Sequence, residues 1–262
     1  MIRQHYNHPS IIAWGYMNEI LLTAPGPDRP EWPACRERTV KLAQRLEKTL
    51  KQEDPYRASV MAFNMTNLYN EIGLDLVDVS GWNLYHGWYV GQLNDFNRWM
   101  EDQHARYPKR PTIISEWGAG SDRRLHSKHP KAFDFSIEYQ QTYVEHYLPF
   151  IEGTEYISGC TYWNFIDFNV DCPTRIHAEG KQRRDCSTTT VHPKTCLTIL
   201  KPCGVRTRPY CTLPAGTGPY GQETKNEKHP VKIYTNLDEV NSSLTENPSE
   251  SSVPPTAIRS ST

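Results

Sequence analysis

Two glutamates occupy comparable positions in this sequence, since each closes an apolar segment. Glu19 ends PSIIAWGYMNE (9–19) and Glu116 ends PTIISE (111–116). A pair of carboxylic acids can divide catalytic work, because one can stay protonated and donate while the other stays ionised and attacks. Held about 5–5.5 Å apart, such a pair can cleave a glycosidic bond with retention of configuration. One glutamate alone would more often be a surface or ion-pair residue, so the hypothesis depends on the pair.

Rigid elements must hold the two carboxylates, and the sequence predicts alternating strands and helices. Apolar segments predict five strands, at 9–19, 57–63, 76–85, 111–117 and 156–168. The spacing of apolar residues predicts helices at 36–53, 67–73, 92–106 and 136–152. Pro55 is expected to stop the first of these helices. The alternation implies an α/β fold with a parallel sheet and right-handed crossovers.

Polar and aromatic residues gather where the predicted strands end, at 18–19, 83–89, 116–117 and 163–164. In a (β/α)₈ barrel this edge of the strands carries the active site. A doubly wound sheet is the alternative, but it would need a glycine-rich phosphate loop after an early strand, and we find none. The length of 262 residues allows one barrel of about 250 residues and little more.

Composition excludes several classes of partner. The net charge of -1 gives no argument for binding nucleic acid or an anionic membrane. No apolar run approaches the length of about 18 residues that a membrane span needs, and the first residues do not form a signal peptide. Seven cysteines without a CxxC pair argue against a zinc site or a disulfide framework. We therefore predict no nucleic-acid partner, no membrane partner and no metal site.

Four segments resemble glycoside hydrolase family 2, in the order and at the spacing of that family. NHPSIIAWGYMNEI (7–20) is similar to its acid/base motif, and PTIISEWGAG (111–120) to its nucleophile strand. DVSGWNLYHGWY (78–89) resembles its sixth barrel strand, and ISGCTYWNFIDF (157–168) its last one. The resemblance covers roughly residues 1–170.

The resemblance implies a role for each matching residue. Glu19 would be the acid/base and Glu116 the nucleophile. Asn18 would hydrogen-bond the 2-OH of the sugar, Tyr85 would help to keep the nucleophile ionised, and Trp163 would stack on the sugar. Less specific pocket residues are Asn83, His86 and Trp88. Packing in the core or at the rim is the alternative for the tryptophans and for Tyr89.

The implied activity is that of an exo-acting, retaining β-glycosidase on a β-linked oligosaccharide or glycoside. β-Galactosidase is our first expectation, and β-glucuronidase and β-mannosidase are the alternatives. Glucuronidases of the family hold the sugar carboxylate with an Asn-x-Lys arrangement after the last strand, of which Lys181 could be a remnant. The mechanism requires no cofactor. Mg²⁺ or Na⁺ occurs in relatives, but no ligand set is evident here. An inactive fragment or a carbohydrate-binding pseudoenzyme is the competing class.

By this resemblance the chain holds a partial barrel, strands four to eight, over residues 1–171. Residues 172–228 are irregular, 229–240 resemble the start of an immunoglobulin-like β-sandwich domain, and 241–262 resemble a disordered tail. Regrouping the codons by one base would restore family-like strings in 195–223 and 241–250, so we predict frameshifts there. A partial barrel has open sheet edges, and we therefore expect the isolated chain to be poorly stable and inactive. Localisation and oligomeric state stay open.

Overall fold

A computed structural model describes residues 1–74, 76–122, 125–164, 211–212 and 234–235 of the chain. The helices are α1 (Ile2–His5), α2 (Trp32–Glu53), α3 (Leu68–Glu71), α4 (Leu93–Arg106) and α5 (Ile137–Gly153). The strands are β1 (Ala13–Asn18), β2 (Ala58–Phe63), β3 (Val79–Leu84), β4 (Thr112–Trp117), β5 (Ile157–Tyr162), β6 (Cys211–Thr212) and β7 (Tyr234–Thr235). The five strands and four helices predicted over residues 9–168 are all present.

Strands β1 to β5 form one parallel sheet in sequence order. This is the strand arrangement of a (β/α)₈ barrel, in which each strand lies beside the next one along the chain, and it confirms the predicted fold class. The chain divides into two compact units. One holds residues 1–119 and 146–163, including the whole five-stranded sheet, and the other holds 120–145 and 164–262.

Strand β1 begins at Ala13, four residues later than the sequence predicted. The guanidinium of Arg57 explains the difference, because it captures carbonyl groups of the incoming segment. Its Nε donates to the carbonyl of Ile11 (2.8 Å), and its Nη2 donates to the carbonyl of Tyr6 (2.7 Å). These carbonyls are therefore satisfied by a side chain instead of by a neighbouring strand.

Helix α2 begins at Trp32, earlier than predicted, with a proline in its first turn. Proline is suited to this position because its missing N–H would have no partner there. The helix ends at Glu53. The residue that follows it, Asp54, has a buried carboxylate that accepts hydrogen bonds from Trp14 Nε1 (2.8 Å) and Arg57 Nη1 (2.6 Å). The hydrogen bond from Trp14 is the main reason that the pKa of Asp54 lies below its usual range. Asp54 thus fixes the end of α2 to strand β1.

The two faces of strand β2 differ in burial. In β2 the residues Ser59, Met61 and Phe63 are buried, and those between them are half-buried. The buried face joins an aromatic cluster in which the ring of Phe63 lies 4.6 Å from Tyr69 and 5.1 Å from Trp82. The alternation in β2 follows from the two-residue period of a strand.

The second unit is described in part. His126 Nδ1 lies 2.8 Å from Glu138 Oε1, and the backbone N–H of Asp122 donates to the carbonyl of Phe135. Strands β6 and β7 pair in antiparallel fashion, and β7 falls within the segment 229–240 that resembles a β-sandwich domain. The remainder of that segment and nearly all of 172–228 and 241–262 lie outside the described residues, as does Lys181. The predicted frameshifts stay predictions.

Candidate active site

Glu19 follows strand β1 in a backbone conformation that few residues other than glycine adopt. Its φ is 49°, and that of Met17 is 61°. The pairing of β1 with β2 shifts its register between Gly15 and Asn18, so the regular pairing is interrupted just before the strand ends. The N–H of Glu19 is held by the carbonyl of Ala62 (2.9 Å). Such conformations persist only where surrounding contacts impose them, and they are frequent at functional sites.

The loop after Glu19 is tied to the aromatic cluster. The backbone N–H of Leu21 donates to the hydroxyl of Tyr69 at 3.1 Å. Burial raises the pKa of Tyr69 to about 12, so its hydroxyl stays neutral at physiological pH. Because Leu21 lies two residues after Glu19, this contact restricts the backbone on the C-terminal side of the glutamate.

Asn83 lies at the centre of a hydrogen-bond network and is completely buried. Its Nδ2 donates to Oδ1 of Asn18 and to Oε1 of Glu19, each at 3.0 Å. Its Oδ1 accepts a hydrogen bond from the hydroxyl of Ser115 at 2.7 Å. One side-chain amide from β3 thus connects the end of β1 to strand β4.

Glu116 lies directly beside Asn83, since the two are paired residues in the register of β3 and β4. The hydroxyl of Tyr85 donates to its Oε2 at 2.7 Å. Burial raises the pKa of Glu116, and the charge of Glu19 raises it further, whereas the hydrogen bonds from Tyr85 and Asn83 lower it. Both predicted carboxylates therefore belong to one network and interact electrostatically.

Tyr85 is suited to remain a donor. It is 7% exposed, and burial together with the neighbouring Glu116 carboxylate raises its pKa above the usual range. Its hydroxyl therefore keeps its proton at neutral pH and can act as a hydrogen-bond donor to the carboxylate of Glu116. The arrangement offers a half-buried carboxylate that accepts a hydrogen bond from a neutral donor, beside a second carboxyl group. That combination is the one required for covalent catalysis by a carboxylate.

Trp163 is 48% exposed, which leaves room for a ring to be placed against it. Its backbone N–H donates to the carbonyl of Trp117 at 2.9 Å, so it continues the pairing of β5 with β4. Gly118 makes this approach possible. Its φ is 152°, and a Cβ there would collide with the carbonyl oxygen of Trp163 and lie 3.0 Å from Cζ of Tyr162. The exposed indole is consistent with a sugar-stacking position, which stays a prediction.

The other predicted pocket residues are more deeply placed. Trp88 is 4% exposed, so the packing alternative fits it, whereas Tyr89 is exposed. His86 is buried, its carbonyl accepts a hydrogen bond from the hydroxyl of Tyr147 (2.8 Å), and burial lowers the pKa of its imidazole. Within the part of the chain that the structure describes, Nδ1 of His86 has no hydrogen-bond partner. A role for His86 or Trp88 in binding stays a prediction.

Sequence reasoning missed Ser115, although the structure places it in the network with Asn83. The available signal was its position just before Glu116. Alternation along a strand would have sent Ser115 to the opposite face, but the pairing of β3 with β4 is irregular between Gly81 and Asn83. Only the structure shows that both neighbouring side chains reach the same network.

The described residues contain no group of three or more His, Cys, Asp or Glu side chains that could hold a metal ion. Among the same residues, no helix is long and apolar enough to cross a membrane.

The sequence model of the family "Glycosyl hydrolases family 2, TIM barrel domain" matches residues 1–201. A β-glucuronidase from Bacteroides fragilis is 32% identical over 176 residues, which make up 65% of this chain and 23% of that protein. The rat β-glucuronidase is 30% identical over 193 residues, 69% of this chain and 27% of that protein. The chain thus spans about a quarter of the length of these curated relatives.

Among solved structures, a calcium-binding mutant of Bacteroides uniformis β-glucuronidase 2 superposes with a TM-score of 0.79 at 50% identity. The match covers 90% of this chain and 28% of that one. The same enzyme covalently bound to cyclophellitol-6-carboxylate aziridine superposes with a TM-score of 0.75 at 46% identity, covering 90% of this chain and 29% of that one. These relatives are all named β-glucuronidases, whereas β-galactosidase was our first expectation.

Proposed function

Since this chain belongs to glycoside hydrolase family 2, we propose that it supplies both catalytic carboxylates of a retaining β-glycosidase that acts on β-D-glucuronides. The observation that carries the proposal is the single network in which Asn83 donates to both Glu19 and Glu116, and Tyr85 donates to Glu116. It joins the two carboxyl groups that the sequence motifs single out, at the carboxyl edge of a parallel sheet.

In the first step Glu116 attacks the anomeric carbon while Glu19 transfers its proton to the glycosidic oxygen. The bond between that carbon and oxygen breaks, the aglycone leaves as an alcohol, and an ester joins the sugar to Glu116. Tyr85 assists because its hydroxyl stabilises the carboxylate before attack. In the second step Glu19, now ionised, takes a proton from water, and the water oxygen replaces Glu116 on the sugar.

The sugar specificity rests on the relatives. The curated relatives described above are named β-glucuronidases, and one similar structure holds an inhibitor that carries a carboxylate. A β-D-glucuronide is therefore our proposed substrate, in place of the β-galactoside that we expected first. The Asn-x-Lys arrangement expected to hold the sugar carboxylate falls on residues outside those described.

The test is covalent labelling of the purified 262-residue chain with cyclophellitol-carboxylate aziridine. The test also decides between this proposal and our sequence-based expectation that the isolated partial barrel is inactive. The proposal requires the intact mass to rise by one probe and peptide mapping to place the probe on Glu116, whereas an inactive chain would stay unlabelled. Glu116→Gln should prevent labelling. Glu71→Gln, which changes an exposed glutamate of α3 in the same way, should leave labelling unchanged.

A neutral galacto-configured aziridine tests the sugar separately. If it labels Glu116 faster than the carboxylate probe, the chain is a hydrolase of the family but not a glucuronidase. If neither probe labels a folded chain that still binds glucuronic acid, the carbohydrate-binding alternative is correct and the catalytic proposal is wrong. The exposed Trp163 is the observation that favours this alternative, because an exposed indole can bind a sugar ring without any chemistry.

A further inference from the structure

The side chain of Ser115 fits into a space that strand β3 leaves for it. A Cβ on Gly81 would lie 2.9 Å from Oγ of Ser115 and 3.1 Å from its Cβ, closer than side chains normally approach. The carbonyl of Ser115 is held separately by the hydroxyl of Thr161. The glycine therefore admits the serine hydroxyl between the strands, where it reaches Oδ1 of Asn83 at 2.7 Å.

The amide of Asn83 has one orientation that satisfies all of its neighbours. The nucleophile Glu116 is ionised and only accepts hydrogen bonds, so the end of the amide that faces it must be the NH₂ group. The same NH₂ group donates to Oε1 of Glu19. The carbonyl end then faces Ser115, whose hydroxyl must donate to it. Without that donor the completely buried carbonyl oxygen of Asn83 would have no hydrogen-bond partner. The present orientation of the amide would then no longer be the more stable one.

Resting on the proposed function, we propose that Ser115 is a positioning residue that directs the catalytic proton of Glu19. By fixing the amide of Asn83, it keeps an N–H against Oε1 of Glu19. A protonated carboxyl then carries its proton on Oε2, the oxygen that Asn83 does not contact, and this oxygen delivers it to the leaving group. The same orientation places the NH₂ group of Asn83 near Glu116, where its hydrogen bond lowers the pKa of the Glu116 carboxyl group.

The first test compares two leaving groups in the 262-residue chain. Phenyl glucuronide needs a proton from Glu19 to leave, whereas dinitrophenolate leaves without one. We expect Ser115→Ala to lower kcat/KM for phenyl glucuronide about tenfold, the effect of one lost hydrogen bond. For dinitrophenyl glucuronide the loss should be less than about twofold. Ser115→Thr keeps the hydroxyl and should restore the wild-type ratio of the two rates.

Ser80→Ala is the matched control, because Ser80 is also a buried serine of this sheet but lies outside the network. It should leave the ratio of the two rates unchanged. If Ser115→Ala does not keep the far-ultraviolet circular dichroism of the wild type, Ser115→Cys is measured instead, since a thiol has nearly the same volume but donates weakly. Equal losses on both substrates would overturn the proposal.

A second measurement needs no turnover. The carboxyl carbon of Glu116 is followed by ¹³C NMR as a function of pH and assigned with Glu116→Gln. Glu19, Tyr85 and Asn83 are the groups that influence its titration. Ser115→Ala should move the titration to higher pH, because Asn83 is no longer fixed. If the wild type cleaves neither glucuronide, the proposed function fails for this chain. If, in addition, Ser115→Ala leaves the titration of Glu116 unchanged, the proposed role of Ser115 is wrong as well.

Discussion

The contact between Tyr85 and Glu116 gives a prediction whose size follows from the structure. The hydroxyl donates to Oε2 of the carboxylate at 2.7 Å, and the tyrosine is only 7% exposed, so water does not replace it easily. A hydrogen bond to a charged group contributes about 1.5–3 kcal/mol. Tyr85→Phe should therefore lower kcat/KM for a chromogenic β-glucuronide roughly 10- to 150-fold.

The pH profile identifies the cause of that loss. The hydrogen bond from Tyr85 lowers the pKa of Glu116, so its removal leaves the pKa higher. Since the nucleophile must be ionised, the acidic limb of kcat/KM should move to higher pH. Tyr147→Phe is the control, because it removes a buried hydroxyl that donates to a neutral carbonyl, that of His86. A loss of activity for Tyr85→Phe with an unmoved acidic limb, or one moved to lower pH, would refute the reasoning.

Two further predictions concern stability. The pKa of Glu116 is raised in the folded chain, so the folded state favours the protonated form, and its contribution is lost as the pH rises through that pKa. Glu116→Gln should thus raise the Tm at pH 7 while abolishing activity, and the difference should vanish below about pH 4. An unchanged Tm at pH 7 would contradict this. Gly118→Ala should destabilise the chain by about 1–3 kcal/mol in urea unfolding, since a Cβ would collide with the carbonyl oxygen of Trp163 at a φ of 152°. Gly159→Ala, where a Cβ meets nothing within 4 Å, should have little effect, and equal losses for both glycines would contradict the steric argument.

The elements that carry the site were predictable because their patterns are local. A continuous apolar segment before Glu19 predicts a buried parallel strand, and helical spacing predicts α2 and α4. Boundaries were less accurate where a distant residue decided them. Strand β1 starts late because Arg57, more than 40 residues away, binds the carbonyls of the segment before it.

The sequence by itself determined that two glutamates end two strands of a parallel α/β fold, and that their surroundings resemble one family. It could not determine how neighbouring side chains share the space between strands. Irregular strand pairing and the space beside Gly81 allow Asn83 to connect several side chains, with Ser115 as one of its donors. Irregular pairing also accompanies the left-handed backbone at Glu19. These features arise from contacts between residues far apart in the chain, and only the tertiary structure brings such residues together.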